Sequence, residues 1–197
     1  MNKIFYWSPF TTSKIATVKA VINSAASLNK FFKKNHFKTT IIDAVNEWKD
    51  FEDEIKEKKI ELIYLNKDSF FKSFKKDGFI RSRFAYFYIF FKSFFPLIKI
   101  LQEKKPDYFI IHLITSLPIF LFTFKKFESK LILRISGLPK MTFFRKLLWR
   151  LAVKNIYIIT CPTFATYENL SKFEFLKEKL CVLNDPILNI SEIQKIK

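Results

Sequence analysis

The apolar positions of this chain fall into two kinds of pattern that alternate along its length. Predominantly apolar runs of strand length occur at 3–7 (KIFYW), 39–44 (TTIIDA), 60–65 (IELIYL), 108–113 (YFIIHL), 131–135 (LILRI), 156–160 (IYIIT) and 180–184 (LCVLN). A continuous run of this length reads as a strand covered on both faces, as in a parallel sheet. Between the runs the spacing changes to three and four. Residues 14–34 place Ile15, Val18, Val21, Ile22, Ala25, Leu28 and Phe32 on one face, with Ser13 positioned to cap the helix. Residues 47–59 are charged and weakly apolar, which predicts a solvated helix or loop. Residues 81–104 are helical in pattern but apolar nearly all round, and Pro96 is expected to kink that helix or start a new one. Further helices are expected near 117–127, 142–154 and 164–172. The one at 142–154 has an apolar face of Phe143, Phe144, Leu147, Leu148 and Leu151, and Arg145, Lys146, Arg150 and Lys154 leave it basic.

Strands alternating with helices predict βαβ units with right-handed crossovers. The expected fold is therefore α/β, a Rossmann-like doubly wound parallel sheet in one domain. Ligands of open parallel sheets sit beyond the carboxyl ends of the strands. That rule directs attention to the segment 105–140, where one run carries His112 and another Arg134 next to its last residue, followed by Ser136, Gly137 and Lys140.

Composition narrows the chemistry. Two glycines among 197 residues exclude a glycine-rich phosphate loop, and neither GxGxxG nor GxxxxGK[ST] occurs. The formal charge is +17, and it is unevenly placed: residues 81–154 hold fifteen Lys and Arg against Glu103, Asp107 and Glu128. The same segment carries 13 of the 26 phenylalanines. Cations interleaved with aromatic rings suit an anionic membrane surface. The residues expected to face it are Phe90, Phe91, Lys92, Phe94 and Phe95, with Arg145, Lys146 and Arg150. An AT-rich genome, with lysines outnumbering arginines thirty to five, also accounts for part of the charge. Segments 84–101 and 108–124 are interrupted by Lys92, Pro96 and Lys99 and by His112 and Pro118, so a buried or interfacial role is expected rather than a span. Pro9 interrupts the only early apolar run, so no signal peptide is expected. Cys161 and Cys181 lack CxxC spacing and a nearby histidine, which predicts two reduced, buried thiols and no metal site.

Several segments together resemble the N-terminal domain of bacterial glycosyltransferase family 4, enzymes of the two-domain GT-B architecture. KIFYWSPFTTSKIATVKAVINSAASLNKF looks like that domain's first strand, acceptor-side loop and long helix, and KPDYFIIH like its strand ending in histidine. LILRISGLPK with FRKLLW, then IITCPTFAT and VLNDPI, follow in the family's order. The resemblance spans nearly the whole chain, with 1–186 as the acceptor-side domain and 187–197 as the start of an interdomain linker or a tail. One departure is the loop SPFTTSKIAT, which lacks the glycine pair that many family members have there. The family's second domain, which binds the nucleotide-sugar, is not supplied by this sequence.

What the resemblance implies is an acceptor-side domain of a hexosyltransferase-type glycosyltransferase in cell-surface polysaccharide or lipopolysaccharide synthesis. The donor would be a nucleotide-sugar, anomeric configuration would be retained and no metal would be required. No cofactor would be bound by this chain itself. Its partners would be a donor-binding C-terminal domain or separate subunit, a lipid-linked or other glycan acceptor, and the inner face of the cytoplasmic membrane, where the protein would be peripheral. Alone it should not turn over.

His112 would contact the transferred sugar or the reaction centre, where an imidazole serves as hydrogen-bonding or charge-balancing group; a satisfied core histidine is the alternative. Arg134 and Lys140 around Ser136 and Gly137 read as a diphosphate clamp or as a turn with solvated charges, and Gly137 is expected to need a backbone geometry that other residues resist. Ser8, Thr11, Thr12, Ser13 and Lys14 would line the acceptor pocket from the first loop. Thr160, Pro162 and Thr163 fit simple turn chemistry, and Asp185 with Pro186 would end the sheet. A basic membrane- or nucleic-acid-binding module without catalysis and a degenerate fragment are the rival readings. No recognisable RNA- or DNA-binding motif accompanies the charge.

Overall fold

The computed structural model describes residues 2–11, 16–31, 37–66 and 79–187. Seven strands form one parallel sheet: β1 (Lys3–Trp7), β2 (Lys38–Asp43), β3 (Glu61–Tyr64), β4 (Tyr108–Ile111), β5 (Lys130–Arg134), β6 (Ile156–Cys161) and β7 (Leu180–Val182). Their order is β3-β2-β1-β4-β5-β6-β7. The chain winds outward from β1 through β2 to β3, crosses back, and winds from β4 to β7 in the other direction. The Rossmann-like fold expected from the alternation is what the structure has. It also places the topological switch point between β1 and β4.

Reversing the winding direction while keeping right-handed crossovers puts the helices on opposite faces. α1 (Ala16–Phe31) and α2 (Glu52–Glu57) cover one face, where Val18, Val21, Ile22 and Ile55 pack on Ile4, Tyr6 and Ile41. α3 (Phe79–Lys104), α4 (Ser116–Phe124), α5 (Phe143–Ala152) and α6 (Phe164–Ser171) cover the other, with Ile89, Leu97, Phe122 and Trp149 against Phe5, Phe109, Leu133 and Ile159. Because successive strand residues point to opposite faces, both sets must be apolar, which explains the predominantly apolar runs.

Three expectations change. The first concerns α3, which runs through Pro96 as a single helix, so that of the two expected outcomes no new helix starts there. Proline removes the donor that would meet the Lys92 carbonyl; Asn66 Nδ2 lies 3.4 Å from that oxygen and 2.8 Å from the Ala44 carbonyl, so the freed acceptor retains a partner. The second is the segment 47–59, which is not simply solvated. Trp48 is fully buried and Ile55 nearly so, with Phe10 edge-on to Trp48 at 5.0 Å. The third is the orientation of α5. Trp149 and Ala152 face the core, whereas Phe143, Phe144, Leu147 and Leu151 are exposed. Of the apolar face read from the spacing, only Leu148 packs against the core, and the rest points outward. Cys161 is buried, as expected, but Cys181 is half-exposed, and both are free thiols.

Candidate functional site

Each central strand ends its apolar run in a polar residue, and the register aligns those residues in one row. Trp7, Ile111, Leu133 and Ile159 are paired across β1, β4, β5 and β6. One step further along lie Ser8, His112, Arg134 and Thr160, of which Arg134 and Thr160 are paired directly. On the flanks Asp43 pairs with Tyr64 and Thr160 with Cys181. The row thus crosses the carboxyl edge of the sheet and passes through the switch point, where Ser8 and His112 are neighbours. The His112 N–H donates to the Trp7 carbonyl at 2.9 Å.

These side chains are buried, yet several carry polar atoms that no described group satisfies. Ser8 Oγ, Thr160 Oγ1 and both ring nitrogens of His112 have no hydrogen-bond partner among the described residues. Buried polar groups are nearly always paired, by protein, water or ligand. Burial, with the Arg134 cation second, holds the His112 pKa well below its ordinary value. The ring is therefore neutral at pH 7, with one nitrogen donating and the other accepting. The loop after β4 is strained: Ile114 adopts φ 46°, a region that β-branched residues avoid. The Ile114 carbonyl accepts from Trp7 Nε1 at 3.1 Å, which fixes the turn that follows His112.

Beside His112 opens a cavity of about 330 Å³. It is lined by His112 and Thr115 from the β4 end, by residues 133–139 from β5 and its turn, and by Arg145 and Trp149 of α5. Among the described residues its charged groups are both arginines, and none of its described lining is a carboxylate. Hydroxyls, a neutral imidazole and guanidinium groups suit an anionic, hydroxyl-rich ligand.

Arg134 does not stand free in this cavity. It is 5% exposed, and its Nε and Nη2 lie 2.9 and 2.8 Å from Asp185 Oδ1. Nη1 donates to Ser24 Oγ at 3.4 Å, and that hydroxyl lies 3.0 Å from Tyr6 Oη. Burial pushes the Tyr6 phenol up to about 12, so it stays neutral in this network. Asp185, expected only to end the sheet, is the counter-ion of the expected clamp. Ser136, Gly137 and Lys140 lie exposed in the turn after β5, the first two against the cavity. Gly137 lacks the left-handed φ that would demand glycine, and a Cβ there would meet nothing within 4 Å, so that expectation is overturned. Arg145, expected to face a membrane, is exposed and also borders the cavity, its Nη1 donating to the Lys140 carbonyl at 2.8 Å. Thr11 is half-buried beyond Ser8, and Thr12, Ser13 and Lys14 lie outside the described residues. Among the described residues no group of three His, Cys, Asp or Glu is arranged to hold a metal.

Ser24 and Tyr6 join this network without any mark in the pattern of the chain, and Thr160 lies in the row rather than only in a turn. The available signal was the polar residue closing each apolar run, present at Ser8, Asp43, His112, Arg134 and Thr160 alike.

No protein-family profile and no curated protein matches this sequence. Solved structures do match its fold. UDP-GlcNAc 2-epimerase from Neisseria meningitidis, bound to UDP-GlcNAc, superposes with TM-score 0.64 at 15% identity, covering 100% of this chain and 50% of that one. The UDP-GlcNAc 2-epimerase from Methanocaldococcus jannaschii gives TM-score 0.56 at 13% identity over 95% of this chain and 46% of its own. The UDP-N-acetylglucosamine 2-epimerase from Rickettsia bellii gives 0.59 at 10%, over 100% and 49%. At these identities the likeness is one of fold: a Rossmann-like domain matching the N-terminal half of GT-B-type epimerases. The chain spans about half the length of the structures it matches.

Proposed function

We propose that this chain is the acceptor-side half of a GT-B-type enzyme that uses a nucleotide-sugar, and that its reaction is glycosyl transfer. The observation that carries this reading is the row of polar groups at the switch point that have no partner among the described residues, with His112 beside a cavity whose described charged lining is arginine. Neutral His112 hydrogen-bonds a sugar hydroxyl next to the reacting carbon. Arg145 and the hydroxyls of Thr115 and Ser136 hold the anionic part of the acceptor. Arg134 acts from beneath, where its pairing with Asp185 keeps the edge of the site rigid. The domain would occupy residues 1–186, and residues beyond would lead toward the partner. The donor half, with the nucleotide-sugar, is contributed by a second domain or subunit.

The names of the matching structures favour one second reading, the half of an epimerase. Moving a proton on and off carbon calls for a general base, and among the described lining residues His112 is the candidate. The arginine- and hydroxyl-rich remainder of that lining fits acceptor binding better, which favours transfer.

The test combines the purified chain with a candidate donor subunit, nucleotide-sugar and a lipid-phosphate-linked glycan. Transfer should require both polypeptides and fall about 100-fold or more on His112→Ala. Robust transfer by the chain alone would refute the half-enzyme reading. Epimerised nucleotide-sugar without acceptor consumption would establish the rival.

A further inference from the structure

The outer surface of α3, α4 and α5 carries a set of aromatic rings. Phe90 and Phe94 of α3 meet Phe120 of α4 at 6.1 and 6.3 Å between ring centres, and Phe120 meets Phe124 at 4.7 Å. From this half-buried cluster Phe91, Phe95 and Phe124 project into solvent, 70%, 75% and 68% exposed. α5, packed beside α4, adds Phe143 and Phe144 at 76% and 80%. An exposed aromatic surface of this extent in one layer of helices marks an interaction site.

Charge says what covers it. Lys92 and Lys99 flank the α3 stripe, Lys125 and Lys126 follow α4, and Lys146 and Arg150 share the outward side of α5. Lys146 and Arg150 sit over the rings of Phe173 and Phe175, so both cations are held at the surface. Of the three acidic residues within 81–154, Glu103 lies near Lys99, Glu128 is paired with Lys105, and Asp107 accepts from the Lys3 backbone N–H at the far, amino edge of the sheet. A second copy docked on this face by two-fold symmetry would bring like cations together. An anionic lipid surface neutralises them and receives the rings at its headgroup level.

We propose that the outer face of α3, α4 and α5 docks on an anionic lipid bilayer, with Phe91, Phe95, Phe124, Phe143 and Phe144 inserted at the interface. The window Arg83–Lys104 is long and apolar enough to span a membrane, and 28% of it is buried. It does not span, because Ala85, Ile89, Leu97 and Leu101 pack one side of it onto the sheet. α3 lies flat instead. α5 also turns Arg145 and Trp149 into the cavity, so a seated α5 sets the cavity within one helix of the headgroups. On the reading proposed above, a lipid-linked acceptor reaches it from that surface; the docking itself does not depend on that reading.

Flotation of the full chain with vesicles separates the outcomes and needs no turnover. Vesicles of phosphatidylcholine containing phosphatidylglycerol should carry about ten times more protein than phosphatidylcholine alone, and high salt should reverse the difference. The combined variant Phe91→Ser, Phe95→Ser, Phe143→Ser, Phe144→Ser should lose about tenfold of the bound fraction, as should Lys146→Glu with Arg150→Glu. Circular dichroism and melting temperature should stay unchanged in both, since every altered side chain is exposed. Equal binding to both vesicle types, no binding, or wild-type binding by the variants would overturn the proposal. So would a wild-type dimer in light scattering that the phenylalanine variants render monomeric.

Discussion

Asp43 and Glu47 put two carboxyls where charge is costly, and their surroundings explain why the fold tolerates them. Asp43 Oδ1 accepts from the backbone N–H groups of Asn46 and Glu47, and its Oδ2 from that of Trp48 at 3.0 Å. Glu47 accepts from Ala44 and Val45 at 3.1 and 2.7 Å. Five backbone donors of one tight turn are thereby met, and a proton shared between the carboxyls removes one charge. Burial, then the neighbouring Asp43 charge, pushes the Glu47 pKa well above its ordinary 4.5, and burial raises Asp43 too. The folded pair thus holds a proton that the unfolded chain has released. Its contribution is full below about pH 4.5 and is lost as pH rises through the raised folded value. Glu47→Gln, which stays uncharged, should remove that loss. Urea titrations from pH 4.5 upward should show wild-type stability declining relative to the variant by up to about 1.4 kcal/mol per pH unit. A constant difference across that range would mean that no proton is shared. In the sequence Asp43 was visible as the end of a strand, but its partner lay in a segment whose charge made it look solvated.

Among the elements, α5 departs furthest from its pattern. Its strongest apolar stripe faces out, and the core takes Trp149 and Ala152 from the opposite side, with Arg145 turned toward the β5–α5 turn. Thr142 caps its start, accepting from the Arg145 N–H at 3.4 Å. Spacing alone marks which residues share a face, not which face meets the sheet. Phe143→Ala should therefore change stability by less than about 0.5 kcal/mol, whereas Trp149→Ala should cost about 3–5 kcal/mol. Chemical denaturation of the two variants checks the orientation, and the reverse ranking would mean that α5 is rotated by half a turn. The strands are the converse case. Runs such as YFII and IYII admit one placement, between two layers of helices, and their ends were read from the sequence to within about two residues.

Across the whole molecule, the segment after β7 is tied to the opposite end of the chain. Asp185 pairs with Arg134 of β5, Arg134 reaches Ser24 of α1, and Asn23 donates to the Pro186 carbonyl at 2.9 Å. This clasp closes the carboxyl edge of the sheet beside His112. Both charges are largely desolvated, with side chains 6% and 13% exposed, so removing either one leaves the other stranded. Arg134→Ala and Asp185→Ala should each cost about 3–5 kcal/mol, and the double variant should cost clearly less than their sum. Additive losses in urea unfolding would mean that the two do not act as a pair.

The α/β class, the number and positions of the strands, and the chemistry at 105–140 were determined by the sequence itself, because period and run length are local properties that packing only confirms. His112 and Arg134 were visible for the same reason, as polar residues closing apolar runs. The partners of those residues were decided only by the tertiary structure. Ser24 and Asp185 lie 110 and 51 positions from Arg134, and a pattern within one window carries no information about contacts between windows. The outward turn of α5 was likewise decided by what the neighbouring helix and sheet left to be filled. Around the segment 105–140, the fold determined that His112 and Arg145 of the next helix border the cavity while Arg134 is held beneath it by Asp185.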